Sequence, residues 1–322
     1  MRFLRILPVF LLGAILGLAA GAYMGSRYDL PFLEQKTTWA IGIYKGATPL
    51  SLAPWPGADQ PVFTAAAVTD VPAQGVADPF LVRDGERWRL FFEVLDAATG
   101  LGEIAYASGR DPLHWKYEKV VLKEPFHLSY PNVFQAEGKW YLVPESNQDL
   151  SVRLYEAESF PGKWRLKGKL LEGAHFVDPT IFRHGGKWWI YTSYPENDIL
   201  DLYWADRLEG PYRRHPASPI VSGDRHRARP AGRVTPWKGG LIRYAQDAVP
   251  HYGRRIRAFF VEKLTPTEYA EKEVPLEPAL EARGSGWNAD GMHQVSPVPL
   301  PGGGWAAAVD GVRRNRLTVR IP

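Results

Sequence analysis

The chain has 322 residues, of which 23% are charged, and it contains no cysteine. The lack of cysteine excludes a disulfide scaffold, a Cys-ligated zinc or iron–sulfur site and a thiol nucleophile. The net charge is +4, and Arg2, Arg5 and Arg27 supply three of these charges, which leaves +1 for residues 28–322. Such a nearly neutral body lacks the basic face that nucleic acid requires, so we expect no nucleic-acid partner.

The N-terminal segment predicts export across a membrane. An uncharged apolar run at about 6–25 follows two arginines and, at ~20 residues, is long enough to cross a bilayer as a helix. Positive charge on its N-terminal side favours a body outside the cytoplasm, on the periplasmic side of an inner membrane. A cleavable signal peptide is the alternative, because small residues occupy 19–22. We therefore expect a signal anchor or signal peptide at 1–27 and a polar stalk at 28–37.

The rest of the chain is dominated by an internal repeat. Three copies begin with a residue followed by proline, continue through an apolar strand and a turn, and carry a tryptophan ten residues after the start. Fifteen residues after the start, a polar residue closes the second strand. Two looser copies follow. The five copies begin at Asp78, Tyr130, Asp178, Arg229 and His293.

Repeats of ~40–60 residues that each form a four-stranded antiparallel meander are typical of propeller blades. Five copies predict an all-β, five-bladed β-propeller over 38–322, with a strand near 39–44 completing the last blade. Aromatic residues make up 13% of the chain, which has 31 Gly and 28 Pro, and this composition favours short strands and turns over long helices. A β-sandwich with accidental similarity between segments is the alternative.

The carboxylates of the repeat predict a polar funnel. In a propeller, the first strand of each blade starts on the face where the second strand ends, so these positions surround one opening. Carboxylates and aromatic side chains in a funnel suit sugar recognition and glycosidic chemistry. The candidate catalytic residues are Asp78, Asp178, Glu145 and Glu93.

Other side chains around the funnel are candidates for substrate binding. The arginine-rich run at 225–233 is interpreted as a clamp on an anionic group, such as phosphate or carboxylate. Each candidate also has a structural interpretation: turn chemistry for Asp-Pro, exposed charge for the glutamates, a solvated loop for the arginines and core packing for the histidines. The repeated tryptophans are expected to pack between blades. The predicted binding residues are His127, Tyr130, Asn132, Tyr194, Arg229, Arg233, Gln246, Asp247 and His293.

The acid–proline starts of the first and third copies make the chain resemble the five-bladed propellers of glycoside hydrolase family 43. The resemblance implies that Asp78 is the base and that Asp178 tunes a neighbouring pKa. It also implies a glutamic general acid, but this chain has Arg229 where those enzymes have an acidic residue in the fourth blade, and arginine cannot donate a proton. Either Glu145 or Glu93 supplies the acid, or the protein does not hydrolyse by this route.

A closer resemblance covers roughly residues 38–270. The chain is similar to the N-terminal, non-glycosyltransferase domain of plant glucosamine inositolphosphorylceramide transferases and to stand-alone bacterial proteins of that domain family. This resemblance implies the fold, but we expect no transferase activity to follow from the name. The shared stretches are 39–43, 77–80, 91–93, 127–131, 144–146, 178–179, 229–233, 245–247 and 252–253.

Two functions stay open at this point. One is an exported, membrane-tethered carbohydrate-active enzyme that cleaves or transfers a glycosidic bond in a surface glycan or glycolipid. The other is a non-catalytic glycan-binding module that assists polysaccharide or glycolipid assembly. Both expect a glycan or glycolipid partner and membrane attachment through the N-terminal helix. No nucleotide-binding motif is present, no cofactor is required and no metal ligands are assigned, although the family 43 resemblance allows a calcium ion near His293.

Overall fold

The computed structural model describes residues 33–319 together with Gly13 and Gly17, and gives side chains for 37–314. Among these described residues, no helix is long and apolar enough to cross a membrane. The predicted signal anchor or signal peptide and nearly all of the predicted stalk lie outside the described residues and stay predictions.

Residues Trp39–Val312 form one compact unit built from five antiparallel sheets. The first strand of a blade is buried on both faces, as the nearly unbroken burial of 75–82 and 177–182 shows. Both faces are apolar because every sheet packs between two others. The segments 33–38 and 313–319 belong to a separate unit and have extended backbone.

The first three blades are uninterrupted runs of four strands in which neighbours along the chain are neighbours in the sheet. The three strands that precede them belong to blade five, and two short 3₁₀ helices lie at Ala65–Ala67 and Asn147–Asp149. The strands that precede blade one are β1 (Leu33–Gly46), β2 (Ala53–Pro54) and β3 (Phe63–Thr64). Blades one to three comprise β4 (Ala73–Asp84), β5 (Arg87–Asp96), β6 (Gly102–Gly109), β7 (Trp115–Leu122), β8 (Ser129–Ala136), β9 (Lys139–Glu145), β10 (Ser151–Ser159), β11 (Lys163–Glu172), β12 (Val177–His184), β13 (Lys187–Ser193), β14 (Leu200–Ala205) and β15 (Arg213–Arg214).

Blade five joins the two ends of the ring. Its sheet has the order β2–β1–β22–β21, so the N-terminal strand pairs with the last strand of the chain, and β3 pairs with β1. The predicted all-β, five-bladed propeller and its completion by an N-terminal strand are therefore confirmed. Blades four and five comprise β16 (Thr235–Trp237), β17 (Gly240–Asp247), β18 (Arg255–Leu264), β19 (Tyr269–Val274), β20 (Leu280–Glu281), β21 (Val295–Pro299) and β22 (Trp305–Val319).

The hydrophobic core consists of five clusters, each contributed by two neighbouring blades. Ile43 of blade five packs with Leu90 of blade one, for example, and Tyr141 of blade two packs with Trp188 of blade three. The tryptophans at the repeat positions lie in or against these clusters, as predicted. Burial between blades therefore stabilises the ring at every junction.

Four side chains from different blades meet at the ring axis: Phe80, Tyr130, Thr180 and Arg233. The buried Tyr130 hydroxyl of blade two accepts a hydrogen bond from the Gly232 N–H of blade four at 2.7 Å. The same hydroxyl lies 2.7 Å from Thr180 Oγ1. The Arg233 guanidinium lies 5.7 Å from the Phe80 ring and donates to the carbonyl oxygen of residue 133. Tyr130 and Arg233, both predicted to bind substrate, are thus placed in the packing of the axis.

We expect Tyr130→Phe to destabilise the ring by about 1–3 kcal/mol, because the Gly232 N–H would stay buried without its acceptor. Urea unfolding of the two proteins measures the difference. Tyr106→Phe is the matched control, because the Tyr106 hydroxyl has no hydrogen-bond partner among residues 37–314. Equal losses in both variants would contradict the axial role of the Tyr130 hydroxyl.

Candidate functional site

The inner strands of blades one, two and three begin with the same backbone irregularity. Asp78, Tyr130 and Asp178 have φ values of 53°, 48° and 48°, in the left-handed region that non-glycine residues seldom adopt. Strand pairing shifts register at each of these positions, so each residue–proline pair forms a bulge. Proline fits there because it has no N–H to offer to the ladder.

The N–H group of each bulge is bound by a carboxylate from the preceding blade. The Asp78 N–H donates to Asp310 Oδ2 at 3.0 Å, and the Tyr130 N–H donates to Asp78 Oδ2 at 3.2 Å. The Asp178 N–H donates to Glu145 Oε2 at 2.9 Å. A chain of acidic residues therefore links blades five, one, two and three at the mouth of the ring, and brings three of the four candidate catalytic residues together.

Asp178 lies at the blade-three end of this chain. Its Oδ2 accepts hydrogen bonds from Arg229 Nε at 2.6 Å and from Gln246 Nε2 at 2.9 Å. Its Oδ1 is buried and has no hydrogen-bond partner among the described residues. Arg229 also donates to Asn197 Oδ1 at 2.9 Å and lies 4.0 Å from Glu145 Oε2. The arginine that replaces the expected fourth-blade acid is thus ion-paired to the third-blade aspartate.

Two further carboxyl groups of this chain, Glu145 and Asp78, are buried. Burial raises the pKa of Glu145 well above its usual range, and the neighbouring Asp178 charge adds to that rise while Arg229 opposes it. Burial also raises the pKa of Asp78 well above its usual range; His293 opposes that rise, and Asp178 and Glu93 add to it. Both groups therefore hold a proton at a higher pH than ordinary carboxyls do.

His293 connects Asp78 to Asp310. Its Nδ1 lies 2.7 Å from Asp310 Oδ2, and its Nε2 lies 3.7 Å from Asp78 Oδ1. Burial lowers its pKa, but the Asp310 charge and the contact with Asp310 outweigh that effect and raise the pKa to about 8. The imidazole is stacked on the Trp39 ring, with ring centres 4.2 Å apart.

The same three residues are a candidate cation site. One ligand atom from each of Asp78, His293 and Asp310 lies within 4.8 Å of the others. The Asp310 oxygens, however, already accept the N–H groups of Asp78, His293 and Gln294. Calcium takes six to eight oxygen ligands, so this group fits only an ion that is mostly coordinated by water. The predicted calcium ion near His293 stays a prediction.

Glu93 and His127 form a second, more accessible pair at the rim. His127 Nε2 lies 3.2 Å from Glu93 Oε1, and the two side chains are 28% and 14% exposed. His127 Nδ1 accepts the Gly102 N–H at 2.9 Å, which fixes the ring orientation. Glu93 does not close its strand as the repeat predicts, because β5 continues to Asp96, whereas Glu145 and Ser193 do end theirs.

The remaining predicted binding residues face other partners. Asn132 is buried and donates to the carbonyl oxygen of residue 181 in the next blade. The Tyr194 hydroxyl donates to Asp201 Oδ2 at 2.7 Å, on the blade-three sheet. Asp247 is fully buried and accepts hydrogen bonds from several basic side chains. The structure therefore places only Gln246 and Arg229 of the fourth-blade candidates against Asp178.

The predicted anion clamp is divided among several partners. Arg229 binds Asp178, Arg233 lies at the axis, and Arg227 Nε donates to Asp224 Oδ2 at 2.9 Å. The partners of Asp247 are His226 Nδ1 at 2.8 Å, Arg255 Nε at 2.8 Å, Arg257 Nη2 at 2.9 Å and Arg254 Nη1 at 3.6 Å.

Sequence reasoning left four residues of the site out of its candidates. Asp310 lies where the repeat places the acid at the end of a second strand, so the repeat offers a signal for it. Trp39, Asn197 and Tyr252 lie in the closing strand or in loops, where no repeat position marks them. Tyr252 lies beside both halves of the site: the Arg229 guanidinium is 4.9 Å from the centre of its ring.

Comparison with known proteins agrees with the fold described above. The family model for glucosamine inositolphosphorylceramide transferase 1, N-terminal, matches residues 33–312 of the chain. The chain belongs to this family. The resemblance inferred from the sequence is therefore confirmed, and the matched residues span all five blades.

Two proteins called glucosamine inositolphosphorylceramide transferase 1 are similar to the chain. The one from Oryza sativa subsp. indica is 36% identical over 301 residues, and the one from Arabidopsis thaliana is 34% identical over 305 residues. The matches cover 86% and 87% of this chain but 40% of each relative. The chain thus spans well under half the length of these relatives.

Among solved structures, the chain is similar to Zg3597, a family 117 glycoside hydrolase produced by the marine bacterium Zobellia galactanivorans. The TM-score is 0.52 at 16% sequence identity, over 87% of this chain and 92% of that chain. At this identity the similarity shows a shared fold. The chain therefore has the same fold as this family 117 glycoside hydrolase.

We expect Asp178→Asn to lower the free energy of unfolding by about 3–5 kcal/mol, because Arg229 would lose its ion-pair partner inside the protein. Asparagine also tolerates the left-handed backbone at this position, so the change isolates the charge. Urea unfolding gives the difference. In the double variant Asp178→Asn/Arg229→Met most of the loss should be recovered, and a double variant less stable than Asp178→Asn would contradict the assignment.

Proposed function

We propose that the protein is a carbohydrate-active enzyme that cleaves or transfers a glycosidic bond in a surface glycan or glycolipid. The observation that carries this proposal is the chain of buried carboxyls at the mouth of the ring, in which Asp78 and Glu145 have a raised pKa and Asp178 is ion-paired to Arg229. Glycosidic chemistry uses one carboxyl as acid and another as base, and a pKa raised toward neutral pH suits both roles.

Each acidic residue has a distinct role in this proposal. Asp78 acts as base or nucleophile, and its carboxyl lies 3.7 Å from His293 Nε2. Asp178 orients and tunes its neighbours. Glu145 acts as the acid, because burial and the Asp178 charge favour its protonated form. Glu93 at the rim is the second candidate for that role.

The partly exposed side chains around these carboxyls would meet the sugar first. Arg229 is 16% exposed, and Glu93 and His127 are exposed to a similar or greater degree. Two further points support a sugar ligand: the fold shared with a family 117 glycoside hydrolase, and relatives whose name joins glucosamine to a phosphorylceramide lipid. We infer a glycan or glycolipid partner, with neither nucleotide nor nucleic acid.

The test is turnover of a panel of defined oligosaccharides and glycolipids in ¹⁸O-labelled water, with products read by mass spectrometry. We expect Asp78→Asn to lower the turnover by about 10²–10⁴-fold, the usual contribution of general acid–base catalysis. Asparagine keeps the left-handed backbone and can still accept the Tyr130 N–H, so the fold should survive. Asp206→Asn, which removes an exposed carboxylate on blade three, is the matched control.

A non-catalytic glycan-binding module is the second candidate function. It is favoured by Arg229, which occupies the position of the expected acid and donates a hydrogen bond to Asp178. Binding of a panel glycan without any product from the wild-type protein would select this alternative. Turnover that Asp78→Asn leaves unchanged would instead contradict the assignment of the base.

We also propose that the body lies outside the cytoplasm, tethered to the inner membrane by the N-terminal segment. The support is the charge and apolar pattern of residues 1–27. Fractionation should recover the full chain with membranes, with its body open to protease added outside the cytoplasm. Removal of 1–37 should leave the protein soluble in the cytoplasm. A full chain found in the soluble cytoplasmic fraction would contradict the proposal, and release into the periplasm would indicate a cleaved signal peptide.

A further inference from the structure

Tyr252 lies between the two halves of the carboxylate cluster. On one side, the Arg229 guanidinium, bound to Asp178, lies 4.9 Å from the centre of its ring. On the other side, the His293 imidazole, bound to Asp310, meets it edge-on with ring centres 5.2 Å apart at 82°. No other described side chain makes ring contacts to both halves.

The loop that carries Tyr252 is held in place by its backbone. This loop joins β17 to β18, and the N–H of residue 248 donates to the Arg225 carbonyl at 3.0 Å. At its other end Gly253 has φ +73°, and a Cβ there would lie 2.9 Å from the Trp39 ring. A Cβ on Gly291 would lie 1.9 Å from the Gly253 oxygen. Only glycine fits at both positions, so the loop is seated at a fixed distance from the site.

Tyr252 also differs from the carboxyls in accessibility. Asp78, Asp178 and Glu145 are all buried, whereas Tyr252 is partly exposed. Part of the Tyr252 side chain is therefore open to solvent, and so to a ligand, beside carboxyls that are not.

The chemistry of the phenol suits hydrogen bonding better than proton transfer. A tyrosine has an ordinary pKa of about 10, so the Tyr252 hydroxyl keeps its proton at neutral pH. It can therefore donate a hydrogen bond to a ligand oxygen or accept one from a ligand hydroxyl.

We propose that Tyr252 is a substrate-contacting residue whose hydroxyl hydrogen-bonds a sugar oxygen held over Asp78 and Asp178. The assignment rests on the proposed function and adds a specificity determinant outside the repeat. It predicts that the site selects sugars with an oxygen at this position and discriminates against the corresponding deoxy sugar.

The experiment measures the affinity of full-length wild type and Tyr252→Phe for a glycan bound in the panel above, and for its monodeoxy analogues. We expect Tyr252→Phe to lower the affinity for the parent glycan by about 3–10-fold, which is the contribution of one hydrogen bond between neutral groups. One deoxy analogue should bind both proteins equally, because the oxygen that Tyr252 contacts is already absent. If Tyr252 had only a structural role, Tyr252→Phe would lower the affinity for every analogue by the same factor.

Two measurements distinguish failure of this inference from failure of the proposed function. The unfolding free energy of Tyr252→Phe is compared with that of Tyr106→Phe, which controls for loss of a remote hydroxyl, so that a change in stability is measured apart from a change in affinity. Equal affinity of Tyr252→Phe and wild type for the parent glycan would overturn the inference alone. A wild-type protein that binds no glycan of the panel would overturn the proposed function and this inference with it.

Discussion

The mouth of this propeller depends on one interaction, the hydrogen bond from a bulge N–H to a carboxylate of the preceding blade. The left-handed backbone at Asp78, Tyr130 and Asp178 turns each N–H out of its own sheet. Without an acceptor, each would be a buried, unpaired donor. The acceptors are Asp310, Asp78 and Glu145 in turn. Hydrogen bonding between blades thus fixes the positions of the acidic residues before any ligand is considered.

This arrangement gives the acidic residues two roles at once. A carboxyl that binds a bulge N–H is buried and close to the next carboxyl, and burial and like charge both raise its pKa. Glu145 and Asp78 show that effect, which the Arg229 charge opposes at Glu145 and the His293 charge opposes at Asp78. The groups that hold the blades together are therefore the groups with altered proton affinities.

Much of the architecture could be read from the repeat, because an identical spacing of proline, turn and tryptophan in three copies has a single structural origin. The same repeat located Asp78, Asp178 and Glu145, which the structure brings together. It could not separate residues that are equivalent in the repeat but face different neighbours. Tyr130 begins a blade as Asp78 does, yet its ring fills the axis. The direction of a side chain depends on the blade across the ring, and local sequence does not encode that neighbour.

The sequence by itself determined the number of blades, the N-terminal strand that closes the ring, and the acidic character of its mouth, since these follow from periodicity and composition. Only the tertiary structure decided that Arg229 pairs with Asp178, that Asp247 is surrounded by arginines, and that Tyr252 stands between the two halves of the site. The physical reason is that these contacts join loops and strands distant in the chain. Their geometry is set when five packed sheets close into a ring, and no spacing along the sequence records it.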